Sequence, residues 1–136
     1  MLRKLSLLLA ACALGLLTPA NANIVMEPTF AEKMALSDLV VIGTVTAVDP
    51  GGDRGVGSTA TLDIWGTIKG EHRDTIIVST WHEVEEQNPR CCIVGATYMM
   101  FLEHSLRGQL VSVWAMFGMV RIGGPQPEFQ VLTSED

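Results

Sequence analysis

The stretch from Asp38 to Val48, Asp-Leu-Val-Val-Ile-Gly-Thr-Val-Thr-Ala-Val, constrains the fold most. β-Branched side chains are stiff in a helix and fit a pleated surface, so the run reads as a strand. Gly43 in its interior predicts a bulge or a sharp bend, as barrel corners need. The next apolar run alternates: Ala60, Leu62, Ile64, Gly66 and Ile68 face one way, Thr59, Thr61, Asp63, Trp65 and Thr67 the other. Further strands are predicted over Thr75 to Thr80, Thr97 to Leu102, Gln109 to Trp114 and Met119 to Ile122, with a last edge strand over Glu128 to Leu132. Gly-, Pro- and Asp-rich turns separate them.

One helix precedes the strands. Thr29 and Glu32 have capping-box spacing, and Phe30, Met34 and Ser37 fall on one face, which predicts a helix over Phe30 to Ser37. A helix this short must dock on something apolar to persist. The fold class expected is mostly β: five or six short strands with one short N-terminal helix, closed as a small barrel or stacked as a sandwich. Few strands carry the residues that blunt an open edge, which favours closure.

The first residues read as an export signal. Arg3 and Lys4 precede an apolar run from Leu5 to Leu17, and Ala20-Asn21-Ala22 offers small residues at a cleavage site. Residues 1–22 are expected to be removed, leaving 23–136 as one domain. The run is too short to span a bilayer comfortably, and no later apolar segment is long and unbroken enough to do so. Leu9-Ala10-Ala11-Cys12 also resembles a lipobox, which would anchor the chain through a lipid on Cys12; against this, Ala13 to Leu17 stays apolar past the cysteine. The chain from residue 23 has 7 basic and 15 acidic residues, a formal charge of −8. That balance fits nucleic acid and anionic lipid poorly. A periplasmic or secreted location follows, which permits disulfides.

Cys91 and Cys92 are the only thiols after residue 22. Three arrangements are open: free thiols, one buried as a small hydrophobe; a bond to each other; or bonds to another chain or a metal. In an extended segment His82 and Glu86 point the same way, and a cysteine would complete a cation site. Their spacing matches no established metal motif, so a solvated acidic loop is the plainer reading, and no cofactor is expected. Trp65 lies on the polar face of its strand. There it marks a ligand surface, shared with Trp81, His82 and Glu86, or is covered by the helix. Met99, Met100, Met116 and Met119 read as packing residues. No Gly-x-Ser-x-Gly, His-Glu-x-x-His or phosphate loop occurs, and Ser58, Ser79, Ser105 and Ser112 lack a nucleophile's context. Asp63 and Glu103 are single carboxylates near strands.

The order of features resembles the netrin-like, or tissue-inhibitor-of-metalloproteinase-like, OB-fold domains and especially their bacterial exported relatives. Ser37 to Val45 is similar to the family's "ADVVxxGxV" opening strand, and Ile64 to Gly70 to the end of its second. Ile76 to Thr80 matches the following strand, and Cys92 to Leu102 the cysteine, glycine and "YLvfl" run. The resemblance implies an OB-like barrel. Inhibitory members chelate a protease zinc through an N-terminal Cys-x-Cys; here residues 23–26 are Asn-Ile-Val-Met, so that mechanism does not carry over. The function expected is a non-catalytic binding module for a protein or peptide partner in the cell envelope. The alternatives are a protease inhibitor of this fold that works without the cysteine, or a small metal-handling envelope protein.

Overall fold

The computed structural model describes residues 26–125. Cys12, the expected cleavage site and the expected tail strand lie outside them. Helix α1 spans Phe30–Leu36, followed by β1 (Leu39–Asp49), β2 (Thr59–Lys69), β3 (Thr75–Ser79), β4 (Thr97–His104), β5 (Leu110–Ser112) and β6 (Met119–Gly123). The strands pair in the order β1-β2-β3-β5-β4, and β1 also pairs with β4, so five strands close into a barrel, and β6 pairs with the first half of β4 along the same edge that β5 takes at its end. Every pairing is antiparallel except β3 with β5, which meet in parallel at Val78 and Leu110. This is an OB-like barrel.

β1 closes the barrel by pairing with β4 as well as with β2. Its first half, Leu39 to Thr44, faces β4, while β2 follows it from Val40 to Asp49. Serving both partners requires curvature, and the β1–β2 ladder shifts register at Val40/Val41, Ile42/Gly43 and Val45/Ala47. Gly43 lies at one of these shifts. A Cβ there would stand 2.7 Å from the Asp63 carbonyl oxygen and 2.8 Å from Ile64 Cδ1, so only glycine permits the approach.

Leu39, Val41, Val45, Ala60, Leu62, Ile76, Val78, Tyr98, Met100, Leu102 and Leu110 fill the barrel. Burying each large side chain stabilises by about 1.5–3 kcal/mol. The alternation predicted for β2 holds at Ala60 and Leu62, then fades: Ile64 is half-buried and Ile68 exposed. β3 pairs with β2 only from Thr59 to Asp63, so the far end of β2 runs past the barrel.

A second small cluster, Val40, Phe101 and Val113 with Met34 and Met99 against it, lies under α1. The Thr29–Glu32 capping box forms as the spacing predicts. The expected face turns inward at Met34 and Ser37 and departs at its first residue. Phe30 stays largely exposed, its ring edge meeting Phe101 at 5.5 Å between centroids, while Lys33 is buried. The lysine stem lies over Phe101, and Nζ leaves the apolar surface to reach Glu27 Oε1 at 2.8 Å. α1 therefore does not cover Trp65, which is 70 % exposed.

β5 is shorter than expected. Trp114 adopts φ 56°, ψ 36° and Ala115 φ 49°, both left-handed, which ends the strand and starts the 3-10 turn Ala115–Phe117. Gly118 then packs so closely on Ser112 and the Val113 carbonyl that no side chain fits.

Candidate functional site

Two loops meet over the outer face of β3, β5 and β4. Val78 and Leu110 point inward, so their neighbours Ser79 and Val111 point outward. Glu103, paired with Val111 across the β4–β5 ladder, shares that outer face.

The first loop leaves β3 at Thr80, whose backbone N–H donates to the Ser58 carbonyl at 3.0 Å and whose hydroxyl meets Ser58 Oγ at 2.9 Å. Trp81 and His82 follow. The His82 N–H donates to Asn88 Oδ1 at 2.6 Å, which closes residues 82–88 into a compact loop. The Val84 N–H donates to His82 Nδ1 at 3.1 Å, leaving Nε2 to carry the proton of the neutral ring. Glu86 belongs to the 3-10 turn Glu85–Gln87 of the same loop. The second loop begins at Trp114. The Ser112 hydroxyl points at the carbonyls of Ala115 and Val113, and the Phe117 N–H donates to the Trp114 carbonyl at 3.1 Å. These bonds hold Trp114 in its left-handed conformation.

Trp81, His82 and Pro89 from one loop and Trp114 and Ala115 from the other wall a cleft of about 240 Å³. Ser79, Glu103, Val111 and Ser112 complete it. An adjoining depression shares Trp81 and His82 and is bordered by Arg54, Glu83 and Glu85. The arrangement offers two large π surfaces, a carboxylate and little competing positive charge. The Ser112 hydroxyl is committed to backbone carbonyls, and one ring nitrogen of His82 is committed to Val84.

The structure brings Trp81 and His82 together and leaves Trp65 apart. Thr59 pairs with Ser79 beside the cleft, and Trp65 lies six residues farther along β2, roughly 20 Å away at strand rise. In the sequence Trp114 stands only as a large aromatic beside Trp65 and Trp81, and Glu103 as a single carboxylate; their meeting depends on the β4–β5 ladder and on a left-handed tryptophan that propensity does not foresee.

Cys91 and Cys92 are joined to each other, across a cis peptide bond, on the return leg of the first loop. Both are half-buried and pack with Ile93 against the barrel core. The Tyr98 hydroxyl, inside the barrel, accepts the Ile93 N–H at 3.2 Å and fixes where this leg crosses the barrel end. Among the described residues no group of three or more His, Cys, Asp or Glu converges on a point where a metal ion would sit. No helix among them is long and apolar enough to cross a membrane. Neither a family model nor a curated protein matches the chain in sequence.

Proposed function

We propose that the chain is an exported, non-catalytic binding module of netrin-like OB type, and that it contacts a protein or peptide partner in the cell envelope through the Trp81–Trp114 cleft. The observation that carries the reading is the cleft itself, two tryptophans presented on preset loops over a closed barrel. Tryptophan is enriched where recognition energy concentrates, because it brings a large rigid surface with a polar edge. A rigid barrel with ligand-facing loops is a common division of labour between scaffold and site. The leader-like residues 1–22 support export. The resemblance of residues 38–102 to netrin-like domains supports the scaffold, and a fold does not carry a role with it. Cleft chemistry supports the non-catalytic part, since the Ser112 hydroxyl is turned to the Ala115 and Val113 carbonyls and the His82 ring to the Val84 N–H.

The test is capture from envelope extract by the chain starting at Asn23, compared with Trp81→Ala and Trp114→Asn, asparagine being tolerant of left-handed φ. A partner retained by the wild type and lost by both variants is the expected result. Equal capture by all three chains, or capture by none, would sink the proposal.

A further inference from the structure

We infer that the cleft takes a guanidinium: an arginine side chain of the partner, laid against the indoles of Trp81 and Trp114 with its head on the Glu103 carboxylate. The inference rests on the binding-module reading and names the chemistry of the occupant.

Charge is the first support. Glu103 is the only carboxylate among the described residues lining the cleft, and no lysine or arginine lines it. Glu103 makes no ion pair among the described residues. A carboxylate beside aromatic faces attracts a cation twice over, through its own charge and through the negative faces of the rings. Among the described residues bordering the adjoining depression, Glu83 and Glu85 stand against Arg54 alone, which keeps the approach negative. The wider chain agrees, at a formal −8 from residue 23.

Size is the second. About 240 Å³ falls below the roughly 300–1,000 Å³ of sites that enclose whole small molecules. It suits one long side chain entering from a larger partner. Shape is the third. Guanidinium is planar, stacks on aromatic rings and grips a carboxylate through two parallel N–H donors, whereas an ammonium offers only a point charge. The wall it would stack on is preset, since the Ser112 hydroxyl holds the backbone around Trp114 and Ala115.

Two tripeptides distinguish the outcomes: acetyl-Gly-Arg-Gly-amide, and the same peptide with citrulline, which keeps the shape and removes the charge. Titration of ¹⁵N-labelled chain, followed at the tryptophan indole N–H signals, should give saturable shifts at Trp81 and Trp114 and none at Trp65. Citrulline should weaken binding about tenfold, the difference between a charged and a neutral hydrogen-bonded head. Glu103→Gln should abolish the preference for arginine while leaving the spectrum folded. Equal binding of both peptides to the wild type, shifts at Trp65 instead, or no shift at all would overturn the inference. Partner capture that survives Glu103→Gln but not Trp114→Asn would also overturn it and leave the module reading standing. Capture indifferent to both variants would remove the module reading itself.

Discussion

Tyr98 shows how one buried polar atom can position a loop. Its ring is in the barrel core, and its hydroxyl accepts the Ile93 N–H just after the Cys91–Cys92 bond. Tyr98→Phe would keep the packing and orphan that N–H. The expected cost is about 1–3 kcal/mol in chemical denaturation, with the largest amide shift changes at residues 91–96. Asp38 makes a second residue-scale link. The His104 backbone N–H donates to its carboxylate at 2.9 Å and the His104 ring stands 3.2 Å away, tying the start of β1 to the end of β4. These hydrogen bonds from His104, aided by its charge and that of Lys69, hold the Asp38 carboxyl below the usual aspartate range. The folded value is depressed, so its contribution is present above the ordinary aspartate value and fades as pH falls through the folded one. Asp38→Asn should therefore lower stability at neutral pH and flatten the acid limb of a stability–pH curve. An unchanged limb would show that the His104 contacts do not persist in solution.

At the scale of elements, β1 is where sequence and geometry agree best. Gly43→Ala should destabilise by about 1–3 kcal/mol, because the added Cβ meets backbone on β2 and the ladder has no slack to yield. A denaturation midpoint unaffected by the substitution would show that the bulge can move. The β-branched run around Gly43, the alternation from Ala60 to Leu62 and the capping box were all readable, since each is a local rule. The docking of α1 was so only in part, at Met34 and Ser37. Its seven residues make barely two turns, too few to define a face by periodicity, and the surface awaiting them selected the stem of Lys33 over the ring of Phe30. β5 stopped early for a related reason. Contacts from Ser112 and Gly118 impose left-handed geometry on Trp114, against its local preference. The half of the cleft visible in the sequence was the half on one loop, Trp81 and His82.

At the scale of the whole molecule, barrel closure joins residues far apart in the chain, and not all of its joints are equally strong. β1 and β2 zip together over most of their length, whereas β3 and β5 share one registered pair, Val78 with Leu110. Local opening begins where the fewest bonds must break. Amides at this joint should exchange with solvent faster than those of the β1–β2 ladder, as measured by hydrogen–deuterium exchange. Uniform protection around the barrel would refute this. The thin joint also lies directly beneath the cleft, whose floor includes Ser79 and Val111. An occupant there touches both staves of the barrel at their loosest meeting and acts as a clasp. Binding should slow exchange at Val78 and Leu110, which form the joint but do not line the cleft, so that the molecule reports occupancy through the breathing of its own wall.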